Sequence, residues 1–191
     1  MAFVRHAEAV WTGKRLPGRL PGVMLSSRGR QQAEVVAEDL AVLPIEAVYT
    51  SPLDRALKTA EVIAKRLGTT PLEADELIEA DCGVWAGRTF KQVVRLRSFK
   101  TLPRHAALRT PPGGESIATV QARMLGFVEY VREKHPGKLV IAVSHADPIK
   151  AAVAGLIGLP LEVFSRLEIG VASVTAVTVE DWPLLLCANA D

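Results

Sequence analysis

Three short apolar runs, at residues 2–4, 45–49 and 139–143, most constrain how this chain of 191 residues can fold. They are rich in residues that favour strands, and polar residues do not alternate through them, which is typical of strands buried on both faces. Patterns of helical spacing lie between these runs, at 27–43, 53–67 and 116–135. Two further strands are predicted at 173–179 and 184–187. Strands that alternate with helices predict an α/β fold, a three-layer α/β/α sandwich with a mostly parallel central sheet.

Composition favours an ordinary folded chain and lowers the rank of two classes of partner. Hydrophobic residues make up 49% of the chain and charged residues 23%, and the length predicts a single domain over residues 1–191. The net charge is only +2, which is not the strong basic field that nucleic-acid or membrane-surface binding would need. We therefore expect neither nucleic acid nor membrane as a partner. The oligomeric state does not follow from the sequence.

Cysteine usage and the apolar segments indicate a cytoplasmic location. Cys82 and Cys187 are the only cysteines, and neither has neighbours at metal-ligand spacing. The first residues contain no signal-peptide core. The longest apolar stretch, residues 151–161, is too short to span a bilayer and is interrupted by glycine and proline.

Residues with potential catalytic or ligand-binding side chains follow each of the three predicted buried strands. Arg5 and His6 follow the first, the segment 51–55 follows the second, and Ser144 and His145 follow the third. Any one of these segments is more often structural than functional. An open α/β sheet, however, gathers the carboxyl ends of its strands into one crevice. Two arginines and two histidines would then meet there, and a phosphate dianion is the ligand that suits them.

Two of these strand ends are predicted to lead directly into helices. Ser51 and Asp147 are predicted as N-cap residues, with Pro52 and Pro148 at the first helical positions. Helix N-termini offer unpaired N–H groups and a positive dipole end, which attract anions. Arg55 would lie in the first turn of its helix and face the same rim of the sheet.

Six segments, in order, resemble the signatures of the histidine phosphatase superfamily, the phosphoglycerate mutase-like proteins. Residues 4–8, Val-Arg-His-Ala-Glu, are similar to the family's Arg-His-Gly-Glu. Residues 50–60 are similar to its Ser-Ser-Pro-x-x-Arg-Ala-x-Gln-Thr-Ala. The other similar segments lie at 25–33, 77–87, 112–116 and 143–145. The chain is therefore identified as resembling this superfamily, and in particular its phosphatase branch.

The resemblance implies a covalent two-step phosphoryl transfer. In the family's mechanism His6 would attack phosphorus and form a phosphohistidine, while Arg5, Arg55 and His145 would hold the non-bridging oxygens. Glu79 corresponds to the family's proton donor to the leaving group, and we expect phosphate charge to raise its pKa. No metal or other cofactor is expected, because two arginines and a cationic histidine would neutralise the phosphate.

The chain departs from the family pattern at several positions outside these five residues. Ala7 stands where the family has Gly, and Ala86 where it has Glu. Asp147 follows His145 where the family often has small residues, and we interpret it as a helix cap. The alternative role for Asp147 is to tune His145 toward the protonated form.

The sequence predicts a phosphomonoesterase that acts on a small anionic phosphate ester. A mutase or other phosphotransferase is the first alternative, and a regulatory binding module of the same fold is the second. Residues 88–114 are compact and are predicted to form a variable lid, which favours transfer to water. Candidate contacts to the substrate are Thr12, Arg15, Arg95, Arg97 and Ser116, together with Arg104 and Arg109. All five catalytic positions are intact, which favours an enzyme over a binding module.

Overall fold

A six-stranded sheet forms the centre of the computed structural model, which describes residues 1–102 and 110–190. The strands are β1 Ala2–Arg5, β2 Ile45–Thr50, β3 Leu72–Glu73, β4 Leu139–Ser144, β5 Val174–Val177 and β6 Leu185–Ala190. Their order across the sheet is β3-β2-β4-β1-β5-β6. The pairs among β1 to β4 are parallel, whereas β5 and β6 join one edge as antiparallel strands.

Helices cover both faces of this sheet. The α-helices are α1 Ser27–Leu40, α2 Asp54–Arg66, α3 Phe90–Val93, α4 Arg97–Lys100, α5 Ile117–Lys134 and α6 Ala146–Leu156. Short 3-10 helices lie at Asp75–Leu77, Gly83–Trp85 and Leu161–Arg166. Over residues 1–102 and 110–190, no helix is both long and apolar enough to cross a membrane.

The sheet carries an apolar cluster on each face, which explains why its strands do not alternate. On one face Val4, Val48 and Ile141 pack against α1 and α2. On the other face Phe3 and Tyr49 pack against α5 and α6. A strand covered on both sides gains from apolar residues at every position. The predicted three-layer α/β sandwich is confirmed.

The N-terminal ends of α2 and α6 differ from the prediction. The N-cap of α2 is Leu53, so Ser51 and Pro52 precede the helix. The N-cap of α6 is His145, and Asp147 is already the second helical residue. A proline fits anywhere in a first helical turn, because the N–H groups there have no partner within the helix. The proline and the predicted cap residue therefore indicated the start of each helix to within two residues but not the N-cap itself.

The remaining boundaries differ by small amounts. The helix predicted over 27–43 ends at Leu40, and the strand predicted over 173–179 is limited to Val174–Val177. β3 was not predicted, because two residues are too few to show a pattern. The proposed lid contains α3 and α4, and its residues 103–109 lie outside the described part of the chain, as do Arg104 and Arg109.

Candidate active site

The ends of two neighbouring parallel strands bring the two histidines together. Arg5 pairs in register with Ser144, and the backbone N–H of His6 donates to the Ser144 carbonyl at 2.9 Å. His6 and His145 are both buried, and their ring centroids lie 5.1 Å apart at an angle of 62°. Adjacency of β1 and β4 therefore produces a contact between two histidines that are far apart in the sequence.

Arg55 enters the site from the first turn of α2. Its side chain is 1% exposed, which makes it the largest fully buried side chain among the described residues. Its Nε donates to Nε2 of His6 at 3.3 Å, and its Nη2 donates to the Gly18 carbonyl at 2.9 Å. A guanidinium is thus fixed beside the His6 imidazole.

The hydrogen bonds of His6 define its tautomer. Its Nδ1 lies 2.8 Å from the carbonyl oxygen of Ala7, and a carbonyl only accepts, so Nδ1 carries the proton. Its Nε2 accepts from Arg55 and is therefore unprotonated. Burial, followed by the charge of Arg55, lowers the pKa of His6 to about 3. The Nε2 lone pair is available as a nucleophile at neutral pH.

Ser51 defines the tautomer of His145. Its Oγ lies 2.8 Å from Nε2 of His145 and accepts from the Leu53 N–H at 3.3 Å. The Ser51 hydroxyl has no other acceptor in the described chain, so it donates to Nε2 and leaves the imidazole proton on Nδ1. Burial, then the charge of Arg55, lowers the pKa of His145. His145 is therefore a neutral donor here, whereas we expected a cation.

Two buried donors of the site lack a hydrogen-bond acceptor. They are Nε of Arg5 and Nδ1 of His145, the only such buried side-chain atoms in residues 1–102 and 110–190. Arg5 is anchored by its Nη1, which donates to the Ile169 carbonyl at 2.7 Å. Native proteins rarely leave buried donors unpaired, because each costs about 1–3 kcal/mol. An oxyanion between the two would supply both acceptors.

Glu79 lies beside His145, with its Oε2 3.9 Å from Nδ1 of the histidine. Its Oε1 accepts from the Ala80 N–H at 2.9 Å. Burial raises the pKa of Glu79 to about 7, helped by Asp147 and opposed by Arg55. The pKa of Glu79 is raised, as expected, but the cause is burial and the charge of Asp147 rather than the charge of a phosphate. This carboxyl can hold a proton near neutral pH and release it.

Asp147 has neither of the roles considered for it. It is not the cap of α6, and Asp147 is not among the groups that shift the pKa of His145, which burial and the charge of Arg55 lower. Its carboxylate instead raises the pKa of Glu79. Burial also raises the pKa of Asp147 itself. No spacing within the sequence connects Asp147 with Glu79.

The predicted substrate contacts lie outside the hydrogen-bonded core of the site. Thr12 accepts from the Ala9 N–H, and Ser116 is the N-cap of α5. Arg15 is exposed, lies over the ring of Trp11 at 5.7 Å and donates to the Gly87 carbonyl. Arg95 and Arg97 are exposed as well. The structure brings together Arg5, His6, Arg55, Glu79 and His145 and leaves the other five at the periphery.

Sequence reasoning missed several residues that support the site. The Gly18 carbonyl accepts a hydrogen bond from Nη2 of Arg55, and Arg19 donates from its Nε to the Glu79 carbonyl at 2.8 Å. Both belong to a loop rich in glycine and proline, where no periodicity marks a residue as functional. Within the described ranges, no group of His, Cys, Asp and Glu could hold a metal ion. The fixed positive charge of the site comes from Arg5 and Arg55.

A sheet crevice that holds two neutral histidines, the buried Arg55, the partly buried Arg5 and a protonatable carboxyl defines a phosphoryl-binding α/β protein. The chain belongs to the histidine phosphatase superfamily (branch 1), whose sequence model matches residues 1–186. The predicted family is confirmed.

Similar proteins include phosphatases and mutases. The chain is 33% identical over 189 residues to phosphoserine phosphatase 1 of Hydrogenobacter thermophilus, covering 95% of this chain and 87% of that protein. It is 30% identical over 187 residues to the probable phosphoglycerate mutase GpmB of Cronobacter sakazakii, covering 96% and 86%. The mycobacterial glucosyl-3-phosphoglycerate phosphatase in complex with VO3 has a TM-score of 0.91 at 29% identity, covering 100% and 99%.

Proposed function

We propose that this chain is a metal-independent phosphomonoesterase that works through a phosphohistidine on a small anionic phosphorylated metabolite. The two unpaired buried donors beside the unprotonated Nε2 of His6 are the observation that carries the proposal. Relatives named phosphoserine phosphatase and glucosyl-3-phosphoglycerate phosphatase support the phosphatase activity.

The phosphate dianion binds among Arg5, Arg55 and His145. Its oxygens accept from Nε of Arg5, from the Arg55 guanidinium and from Nδ1 of His145. Charge-assisted bonds of this kind are shorter and stronger than neutral ones. Two guanidiniums offset the two negative charges, so binding requires no metal ion. The neutral His145 contributes to phosphate binding through one donated hydrogen bond and not through a positive charge.

The first step transfers the phosphoryl group to His6. The Nε2 lone pair forms the bond to phosphorus while the bond to the leaving oxygen breaks. Glu79 gives its proton to that oxygen, so the product leaves as an alcohol and the carboxylate remains. Before the reaction, Nε of Arg55 donates to Nε2 of His6 at 3.3 Å. As Nε2 bonds to phosphorus, this N–H donates instead to a phosphoryl oxygen.

The second step returns the enzyme to its starting state. Water attacks phosphorus, and the Glu79 carboxylate takes one proton from that water. The bond between phosphorus and Nε2 breaks, inorganic phosphate leaves, and His6 recovers its lone pair. A carboxyl with a pKa of about 7 suits both directions of proton transfer.

Substrate selection belongs to the periphery of the site. We propose that residues 1–191 form one domain with a variable lid at 88–114, and that the described lid residues 88–102 and 110–114 face the leaving group together with Thr12 and Arg15. The exposed Arg95 and Arg97 would then contact an acidic group of the substrate. Neutral substitutions at these two arginines should raise the KM for anionic esters, and an unchanged KM would contradict this assignment.

The cellular setting is also a proposal. Cys82 and Cys187 are both free thiols in the structure, which supports a reducing cytoplasm. The net charge of +2 supports a small-molecule substrate in preference to nucleic acid.

Phosphate release from a panel of esters tests the activity. The wild type and His6→Ala are each incubated, in the presence of chelator, with four esters: phosphoserine, 3-phosphoglycerate, glucose 6-phosphate and p-nitrophenyl phosphate. We expect release that persists in chelator and falls at least about a thousandfold in His6→Ala. Acid-labile, base-stable label on the wild-type protein alone would identify the phosphohistidine. Larger residual activity in His6→Ala would argue against a nucleophilic role.

A mutase is the second candidate, favoured by the 30% identity to a probable phosphoglycerate mutase. Labelled phosphohistidine enzyme is given a phosphoglycerate acceptor, and the label is followed into water or into the acceptor. Label that appears as inorganic phosphate supports the phosphatase, whereas label in the acceptor supports the mutase. A protein that forms no phosphohistidine with any ester would be a binding module.

A further inference from the structure

One carboxylate outside the five catalytic positions joins two arginines that hold the segment carrying Glu79. Glu115 Oε2 lies 2.8 Å from Nη2 of Arg19 and 3.1 Å from Nη2 of Arg123, and its Oε1 lies 3.1 Å from Nε of Arg123. Arg19 donates from its Nε to the Glu79 carbonyl at 2.8 Å. Arg123 donates from its Nη1 to the carbonyl of Glu76. The segment is therefore held at two carbonyls by arginines that share one partner.

This arrangement is well buried for an ion-pair network. The side chains of Glu115 and Arg123 are 13% and 16% exposed, and that of Arg19 is 33% exposed. Solvent-exposed pairs contribute little to structure, but a bidentate, partly buried pair fixes the geometry of both partners. The contact of Glu115 with Arg123 has this bidentate form.

The backbone of Glu115 holds the same segment from a second direction. Its N–H donates to the Asp81 carbonyl at 2.9 Å. At the preceding Gly114, an added Cβ would lie 2.4 Å from that carbonyl oxygen, so the two chains are in direct contact. The backbone around Glu79 is thus fixed by both the side chain and the main chain of Glu115.

The position of the Glu79 carboxyl depends on this backbone. Its Oε1 accepts from the N–H of the next residue, Ala80, which makes the carboxyl follow the local main chain. A misplacement of about 1 Å in such a site costs roughly a hundredfold in rate.

We propose that Glu115 is a positioning residue for Glu79, because its carboxylate joins the two arginines that fix the acid's backbone. The proposal rests on the proposed function, in which Glu79 protonates the leaving group. Glu115 makes no contact with His6, Arg55 or His145 in the described contacts, so binding and attack at phosphorus do not require it.

Leaving-group dependence separates this role from a general structural one. An alkyl ester requires a proton on its leaving oxygen, whereas p-nitrophenyl phosphate releases p-nitrophenolate, which is stable as an anion. We measure kcat/KM, which reports the steps up to release of the alcohol, for p-nitrophenyl phosphate and for the best alkyl ester of the panel. Glu115→Gln should lose about 10- to 100-fold on the alkyl ester and less than about threefold on p-nitrophenyl phosphate.

A double variant tests whether Glu115 acts through Glu79. If it does, Glu79→Gln and the double variant Glu79→Gln/Glu115→Gln should have the same ratio of alkyl to nitrophenyl activity, because the acid is already lost. The control is Glu61→Gln, which removes the exposed pair of Glu61 with Lys58 at 2.8 Å. It should leave both activities unchanged. If Glu115→Gln does not fold, as thermal unfolding would show, Arg123→Lys replaces it in the same comparison.

The outcomes distinguish the two proposals. Equal losses on both esters, or multiplicative losses in the double variant, would overturn the positioning role of Glu115 while leaving the proposed function in place. If Glu79→Gln itself slows both esters equally, the acid assignment of the proposed function fails and the positioning role fails with it. Selective loss in Glu115→Gln that vanishes without Glu79 would support both.

Discussion

Replacement of Ser51 by alanine tests the tautomer of His145, on which phosphate binding by this residue depends. The Ser51 hydroxyl donates to Nε2 at 2.8 Å and so keeps the imidazole proton on Nδ1. Nδ1 is one of the two buried donors without an acceptor in the described chain. Without Ser51, the proton can move to Nε2, and the Nδ1 lone pair would then repel the phosphoryl oxygens.

The size of the effect follows from burial. Ser51 and His145 are both fully buried, so water does not replace the lost hydroxyl. A buried acceptor that loses its partner costs about 1–3 kcal/mol. At about 1.4 kcal/mol for each factor of ten, Ser51→Ala should lower kcat/KM about 5- to 150-fold. Alkyl and nitrophenyl esters should lose equally, because they share the same phosphoryl group.

The assay combines kinetics with nitrogen NMR of the histidine rings. In the wild type the protonated nitrogen of His145 should be Nδ1, and in Ser51→Ala the ring should show both tautomers. Ser173→Ala is the matched control, since this buried hydroxyl donates to the Gly170 carbonyl at 2.8 Å and forms no hydrogen bond with a catalytic residue in the described chain. A wild-type Nε2–H tautomer, or a Ser51→Ala loss below twofold, would refute the reasoning.

Four further predictions concern the acid and the packing of two glycines. Glu79→Gln should lower kcat/KM for alkyl esters at least tenfold more than for p-nitrophenyl phosphate, and equal losses would assign the acid elsewhere. The pKa of Glu79 is about 7, so kcat/KM for alkyl esters should fall as pH rises above 7 and the acid loses its proton. That decline should be absent for p-nitrophenyl phosphate and in Glu79→Gln, and a shared decline would contradict it. Gly29→Ala should lower the free energy of unfolding by about 1–3 kcal/mol, because its Cβ would lie 2.0 Å from the Glu8 carbonyl oxygen. Gly126→Ala has open space in α5 and should raise that free energy by about 0.5–1 kcal/mol, and denaturant unfolding of both variants measures the contrast.

The buried strands could be predicted from the sequence because their composition permits little else. The runs at 2–4, 45–49 and 139–143 became β1, β2 and β4, each one residue longer at its carboxyl end. The added residues are Arg5, Thr50 and Ser144, which are polar and so broke the apolar pattern. The polar residues at the crevice were thus correctly placed at strand ends, although the strands themselves reach slightly further.

The starts of α2 and α6 could not be fixed in the same way. Serine and aspartate are good N-caps in general, but Ser51 donates to His145 and Asp147 lies within the first turn of α6. The hydroxyl that local rules assign to a helix cap is used in a long-range hydrogen bond. Tertiary contacts therefore overrode a local preference of about 1 kcal/mol.

The sequence by itself determined the alternation of strands and helices and the side chains that follow each strand. It also contained the six segments that resemble the histidine phosphatase superfamily. These features depend on composition and spacing within a few residues. Strand order in the sheet follows from no such local pattern, yet it alone places β1 beside β4 and His6 beside His145.

Only the tertiary structure decided the protonation states and the supports of the site. The tautomer of His145, the raised pKa of Glu79 and the ion pairs of Glu115 each depend on contacts between residues that are far apart in the chain. Hydrogen-bond strength and the cost of burying a charge depend on distances of a few ångströms and on exclusion of water. Both are set by how the elements pack, which no local segment of the sequence contains.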